Sequence, residues 1–213
     1  MGVREGFEMQ VGILGGTFDP IHLGHLIIAE EARARLELER VIFIPAGQPW
    51  LKAGQPLTPG QHRLRMVELA VASNPYFQVA RNEVERSGLT YTIDTLEELQ
   101  QELGADATLH FIMGMDVLEQ LHRWREPERL LELCQLVVVN RPGHQSVDVG
   151  NVVPRYPQAS GKVTLLNVPS IEISATEIRR RAAQGISFRY QVPEAVEQYI
   201  LEHRLYRVPM KDE

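Results

Sequence analysis

Short apolar runs and longer amphipathic stretches alternate along the chain. "MQVGIL" (9–14), "RVIFIPA" (40–46), "TLHFIMG" (108–114), "QLVVVNR" (135–141) and "KVTLLNV" (162–168) are too short for helices and rich in Val, Ile and Phe. Continuous apolar runs of this kind predict strands buried on both faces, as in a parallel sheet. "YFQVA" (76–80) is a sixth candidate. Between them, Leu26, Ile27, Ala29, Ala32 and Leu36 recur at helical spacing and predict a first helix. "TPGQHRLRMVELAVASN" (58–74) predicts a second, with Thr58 as N-cap and Pro59 at the first helical position. "TIDTLEELQQELG" (92–104) predicts a third that stops at Gly104. "MDVLEQLHRW" (115–124) and "EPERLLELC" (126–134) predict two shorter ones.

Strand and helix in repeated alternation predict an α/β fold, a Rossmann-like doubly wound parallel sheet. The end of the chain departs from that rhythm. "SATEIRRRAAQG" (174–185) carries Ser174 as N-cap with Glu177 three residues on, a capping box. "VPEAVEQYILEHRL" (192–205) is a further helix opened by Pro193. No strand follows them, so residues 1–170 are expected to form the sheet domain and 171–213 a small helical C-terminal extension packed on it. The stretch from Pro142 to Gly161 is rich in Pro and Gly and predicts an exposed connection. The sequence has no internal repeat and no low-complexity tract.

Chemistry concentrates after the first predicted strand, in "GILGGTFDPIHLGH" (12–25). In an open parallel sheet ligands bind beyond the carboxyl ends of the strands, so this is the first place to look. Gly15 and Gly16 let a ligand approach the backbone and permit positive φ. His22 and His25 fall at the start of the next helix, where amide N–H groups are unpaired and the dipole favours anions. At i and i+3 their rings can reach one bound phosphate, and Gly24 between them clears a side chain from that approach. The pattern is not G-x-G-x-x-G, which argues against a nicotinamide dehydrogenase. No third His or acid lies on the same turn, which argues against a metal site.

Composition narrows the classes. With a net charge of −6 the chain lacks the basic face that drives binding to polyanions, so no nucleic-acid partner is expected. Cys134 is the single cysteine, which rules out an intramolecular disulfide and a cysteine-paired zinc site. No run approaches the roughly 18 apolar residues of a membrane span, and "MGVREGFEMQ" does not read as a signal peptide, so a cytoplasmic protein without a membrane partner is expected.

"GGTFDPIHLGH" resembles the nucleotidyltransferase fingerprint G-G-x-F-D-P-x-H-x-G-H, with its H-x-G-H core. The long form closely resembles bacterial nicotinate-nucleotide adenylyltransferases, which make deamido-NAD from nicotinate mononucleotide and ATP. The resemblance continues through "FIPAGQPWLK" (43–52), "HRLRMVELAVASNP" (62–75), "TYTIDTLEEL" (90–99), "FIMGMDVLEQLHRW" (111–124), "LVVVNRPG" (136–143), "ISATEIR" (173–179) and "VPEAVEQYILEHRLYR" (192–207).

The resemblance implies an in-line displacement at the α-phosphorus of ATP by a phosphate oxygen that is already ionised. Such a reaction needs alignment and charge neutralisation rather than a protein nucleophile. It implies His22, His25 and Arg179 as catalytic groups. Gly15, Gly16, Thr17, Phe18, Gly114, Asp116, Ser174 and Thr176 would bind ATP. Lys52, Thr92 and Trp124 would bind nicotinate mononucleotide, Trp124 stacking on the pyridine and backbone amides receiving its carboxylate. Asp19, in a tight turn, is expected to shape the loop by accepting backbone N–H bonds. Mg²⁺ is expected as cofactor, carried mainly by the ATP phosphates with no protein metal site.

The chain departs from the family pattern at Leu51, where a histidine is common, and at Arg125, where some members have an aromatic residue. The sequence leaves open a homo-oligomer and related phosphorylated acceptors, namely nicotinamide mononucleotide or phosphopantetheine. A catalytically silent nucleotide-binding module is the alternative from another class.

Overall fold

A computed structural model describes residues 9–50, 54, 56–140, 155–169 and 172–207. The first half runs β1 (Met9–Gly16), α1 (Leu23–Arg35), β2 (Arg40–Pro45), β3 (Gln48–Pro49), α2 (Gly60–Val71), β4 (Phe77–Val79), α3 (Asn82–Glu85), β5 (Leu89–Thr90) and α4 (Thr92–Leu103). The second half runs β6 (Ala107–Gly114), α5 (Met115–Glu119), α6 (Pro127–Leu133), β7 (Cys134–Asn140), β8 (Val163–Asn167), α7 (Ala175–Ala183) and α8 (Glu194–Glu202).

Six strands hydrogen-bond in the order β4-β2-β1-β6-β7-β8, each neighbouring pair parallel. Strand order reverses between β1 and β6, which are in register from Met9 opposite Ala107 to Ile13 opposite Phe111. The carboxyl ends of these two strands, Gly15-Gly16 and Met113-Gly114, therefore flank the crevice where doubly wound sheets bind ligands. The strands Met9–Gly16, Arg40–Pro45, Ala107–Gly114, Cys134–Asn140 and Val163–Asn167 fall on the five predicted runs, within one or two residues at each end, and Phe77–Val79 on the sixth.

Alternation along each strand feeds two cores. On one face Leu14, Phe43, Ile112, Val137 and Val139 pack with Ala29 and Ala32 of α1, Met66 and Val67 of α2, Ile178 of α7, and Val196 and Ile200 of α8. On the other, Val11, Ile13, Leu109, Phe111 and Val138 pack with Ile93, Leu96 and Leu99 of α4 and Leu130 and Leu131 of α6. Each such side chain, taken fully from water, contributes roughly 1.5–3 kcal/mol, so the sheet is clamped on both sides. Cys134 lies in the second core; burial pushes its thiol up to about 12, which leaves it a neutral, inert hydrophobe at physiological pH.

Local details depart from expectation for identifiable reasons. The second helix begins one residue late, with Pro59 as N-cap: the Thr58 carbonyl, which would accept the first intrahelical bond, takes Arg63 Nε instead, and its N–H goes to the Asp19 carboxylate. The segment 115–124 does not run as one helix: α5 ends at Glu119 and a separate 3-10 turn follows at Leu121–Arg123. Ser174 caps α7, accepting the Glu177 N–H at 3.2 Å, but the reciprocal half of the box is missing. The Glu177 carboxylate turns instead to Arg180 and Arg181, which hold it down at about 2. Gly104 ends α4 at φ 90°, the left-handed backbone that glycine adopts freely. Most of the predicted 142–161 connection lies outside the described residues. Among the described residues no helix is long and apolar enough to cross a membrane.

Candidate active site

A cavity of about 540 Å³ opens at the switch point. Its walls come from the ends of β1 (Leu14, Gly15, Gly16), the following Thr17, His25 of α1, the end of β6 (Met113, Gly114), and Asp116, Thr92 and Trp124. Eight residues expected to meet substrate thus share one chamber. Trp50, Glu83 and Thr90 line it as well, although the sequence did not single them out.

The glycine turn works differently from its sequence-based reading. Neither Gly15 nor Gly16 has positive φ; both remain in β1, and the left-handed residue is Phe18 at φ 48°. The Phe18 ring folds back over Gly16, where a methyl group would lie 3.1 Å from it, so Gly16 makes room for a side chain of the protein itself. Phe18 is 3% exposed and meets His25 edge-on at 5.0 Å. It thus supports the cavity wall from behind. Gly24 likewise accommodates protein: a methyl there would sit 3.1 Å from the His22 ring.

His22 is the N-cap of α1 with extended backbone (φ −144°, ψ 170°), and its N–H donates to Nδ1 of His25 at 3.1 Å. A ring that accepts at Nδ1 is neutral and carries its proton on Nε2, so His25 is a directed N–H donor. The two rings stack at 3.7 Å. Only His25 lines the large cavity; His22, 5% exposed, faces a small cleft against Val168, Pro169 and Ile173, just ahead of α7. That cleft brings the start of α1 beside the segment leading into α7.

Arg179 of α7 reaches across and donates from Nη1 to the Asp19 carbonyl at 2.6 Å, with Nη2 3.3 Å from Thr176 Oγ1. Ser174 and Thr176 are exposed at the start of α7. Arg179, Ser174, Thr176 and Phe18 are not on the wall of the large cavity. Lys52 and Leu51 lie outside the described residues. At the far end Trp124 packs edge-on against Phe111 at 5.7 Å, and Trp50 stacks near Tyr91 at 6.3 Å. Arg125 lies over the other residue of that pair, its guanidinium 4.9 Å from the Tyr91 ring, and pairs with Asp94 at 3.4 Å.

One residue ties these loops together. Arg63 of α2 is 1% exposed and gives Nε to Thr58 O at 2.8 Å, Nη1 to Thr17 O at 2.8 Å and to Ala46 O at 2.6 Å, and Nη2 to Gly47 O at 2.9 Å. Burial lowers its pKa from the ordinary guanidinium value, opposed by the nearby carboxylates of Asp19 and Glu83. Only a planar fork with several fixed donors can bind carbonyls from three loops at once. The sequence signal was available: Arg63 stands four residues before Val67, on the stripe that carries Met66, Val67 and Ala70 into the core. Gly47 is needed for the same junction, because a side chain there would collide with the Glu83 carbonyl oxygen.

Among the described residues no group of three or more His, Cys, Asp or Glu side chains gathers to hold a metal ion. Polar groups on the cavity wall include backbone amides, the His25 imidazole, hydroxyls, the Gln120 carboxamide and the indoles of Trp50 and Trp124, with Asp116 and Glu83 as the acids. The Asp116 carboxylate folds back on Gly114, where a methyl would lie 2.5 Å from Oδ1.

A switch-point cavity fed by an H-x-G-H helix start defines the class as nucleotidyltransferase, and residues 13–181 match the cytidylyltransferase-like family. A protein of Thermomicrobium roseum named "Probable nicotinate-nucleotide adenylyltransferase" is 50% identical over 198 residues, 93% of this chain and 92% of that one. One of the same name from Dehalococcoides mccartyi is 46% identical, covering 93% of this chain and 98% of its own. The chain belongs to the nicotinate-nucleotide adenylyltransferase family within the cytidylyltransferase-like nucleotidyltransferases. The fold matches that of the Plasmodium falciparum nicotinic acid mononucleotide adenylyltransferase solved with NaAD, at a TM-score of 0.75 and 22% identity, over 93% of this chain and 97% of that one.

The guanidinium clamp generates the first prediction. Arg63→Lys offers one ammonium to four carbonyls and strands at least one of them, a loss of about 1–3 kcal/mol. Thermal unfolding should show a lower Tm, and KM for ATP should rise as the loops of Thr17 and Ala46 loosen. An unchanged Tm would remove the clamp from the account.

Proposed function

We propose that this protein transfers the adenylyl group of ATP to nicotinate mononucleotide, releasing pyrophosphate and forming nicotinate adenine dinucleotide, a step of NAD biosynthesis. The observation that carries this reading is the cavity itself. It joins a helix start bearing His25 to an aromatic end bearing Trp124 within one chamber, so a nucleotide at each end can bring its phosphate to the middle. Family membership at 50% identity supports the same substrates.

In this reading ATP lies along the ends of β1 and β6, its base and ribose toward Gly114 and Asp116 and its phosphates toward Gly15, Gly16, Thr17 and the start of α1. The free amides and dipole of α1 favour the anion there. His25 donates its Nε2 proton to an oxygen on the α-phosphorus as charge builds, with His22 stacked behind it and adjoining the β-phosphate side. Ser174 and Thr176, at the start of α7, hold the β- and γ-phosphates. Arg179 supplies the fixed positive charge on the leaving pyrophosphate. Nicotinate mononucleotide lies against Trp124, and Thr92 opens α4, whose first-turn amides take the pyridine carboxylate. Lys52 bridges the two sets of phosphates. The attacking phosphate oxygen is ionised, so bond formation to the α-phosphorus and loss of pyrophosphate need no general base.

Mg²⁺ fits this site as a passenger of the triphosphate. The described residues offer no three-ligand cage, and an ion that keeps its waters and rides on phosphate oxygens needs none. When bound it neutralises phosphate charge, complementing Arg179. Residues 1–170 serve as the transferase unit and 171–213 as a helical part packed on it, consistent with Val196 and Ile200 lying in the same core as Leu14 and Phe43.

Purified protein with ATP, Mg²⁺ and nicotinate mononucleotide should release pyrophosphate, and nicotinamide mononucleotide should be a much poorer acceptor because amides that hold an anion leave a neutral carboxamide weakly paired. Turnover of neither mononucleotide contradicts the assignment. His25→Ala should cut kcat by about 10²-fold or more, a usual loss for one charge-stabilising donor, with the circular-dichroism spectrum unchanged. Near-normal turnover would take His25 out of the mechanism.

A further inference from the structure

The C-terminal segment reaches into the catalytic loop through one hydroxyl. Tyr206, beyond α8, donates its OH to Asp19 Oδ1 at 2.8 Å. Asp19 is 5% exposed, and its other acceptors are also engaged: Oδ2 takes the Thr58 N–H at 3.2 Å, and the carbonyl takes Arg179 Nη1 at 2.6 Å. One side of Asp19 in the chain is Phe18, whose ring edge rests on His25. Tyr206 therefore secures a residue that touches both Arg179 and the support of His25.

We propose that Tyr206 is a positioning residue for adenylyl transfer, acting through Asp19 to hold Arg179 and the loop 17–22 in the arrangement that receives the triphosphate; this rests on the functional reading above. Three observations favour positioning over docking of the C-terminus. The first is that α8 is already anchored without this hydroxyl, by Val196 and Ile200 in the core and by Tyr199 OH 2.9 Å from His62 Nδ1. The second is backbone cost. Arg204 and Tyr206 both sit in the left-handed region, at φ 51° and 67°, which is unfavourable for a residue other than glycine. Such strain persists where the surroundings over-determine it, and here it aims the ring at Asp19. The third is the state of the hydroxyl. Burial first, and then the Asp19 charge, push Tyr206 far above the ordinary tyrosine range, so it is a donor at every physiological pH.

Asp19 also anchors to the clamp described above, since the Thr58 peptide gives its N–H to Asp19 and its carbonyl to Arg63. A chain of direct bonds thus runs from the buried guanidinium through Thr58 and Asp19 to Arg179. Loss of the Tyr206 hydroxyl leaves one buried carboxylate oxygen without its donor, and a carboxylate that shifts to recover hydration loosens the turn whose Asp19 carbonyl receives Arg179.

Tyr206→Phe keeps the ring and removes the bond. Without that bond kcat should fall roughly 10-fold or more, with KM for nicotinate mononucleotide within about twofold of wild type. In an Arg179→Lys background the same change should cost less than about twofold, because the two act as one unit. Amide hydrogen exchange in residues 17–25 should accelerate in the substrate-free protein while exchange in β6 and β7 stays at the wild-type rate. Wild-type kcat with unaltered exchange at 17–25 would overturn the proposal, as would a full loss that persists beside Arg179→Lys. So would faster exchange spread over the whole sheet, the mark of a merely structural role. Absence of turnover in the wild-type protein would instead overturn the functional reading, and the exchange comparison would still decide this one.

Discussion

A guanidinium withdrawn from water is the constraint on which the rest of the site depends. Arg63 is held by carbonyls of Thr17, Ala46, Gly47 and Thr58, which belong to the segments following β1 and β2 and the one leading into α2. Taking an ion out of solvent costs several kcal/mol unless hydrogen bonds replace its hydration. Each carbonyl in turn would be left unpaired if the arginine moved. The two needs satisfy each other in only one arrangement of the loops. Ligand-binding loops on a parallel sheet are otherwise among its softest parts, and here they are joined at a single buried point.

From that point the electrostatics of the site follow. A protein of net charge −6 handles polyanionic substrates through local groups. The helix start at His22 brings His25 to the crevice at the reversal of strand order, and the segment leading to Ser174 and the Arg179 helix adjoins it across a small cleft. The His22 N–H fixes the tautomer of His25, and Asp19 holds Arg179 by its carbonyl. Donors set in place before substrate arrives need little reorganisation as charge shifts in the transition state.

Much of this was legible in the sequence, because the strongest signals are periodic and local. Apolar runs located the six strands of the main sheet, though not the two-residue strands β3 and β5, and the spacing of His22 and His25 placed them correctly at a helix start. The less legible features are long-range. Nothing between residues 15 and 25 reveals that Phe18, rather than a glycine, takes the left-handed backbone, or that the space at Gly16 and Gly24 is filled by Phe18 and His22. Glycine next to a phosphate loop suggests room for ligand; Gly15 and Gly16 do line the cavity, but the space at Gly16 and Gly24 also serves the protein's own rings. Thr58 looked like a cap because its type and place fit one, but the Arg63 side chain takes the carbonyl that would accept the first bond of the helix, while Asp19, 39 positions earlier, accepts its N–H. Arg63 and Tyr206 were present in stretches resembling the family, yet their partners lie up to 187 positions away, beyond any local pattern.

The transfer proposed above works by positioning and charge stabilisation and needs no covalent protein intermediate: the neutral His25 is a donor and the only cysteine is buried and protonated. The stereochemistry at the α-phosphorus tests this most directly. With ATP made chiral at that phosphorus by sulfur substitution, and nicotinate mononucleotide as acceptor, a single in-line displacement predicts inversion of configuration in the dinucleotide product. Retention would require two displacements through an adenylylated residue and would contradict the account.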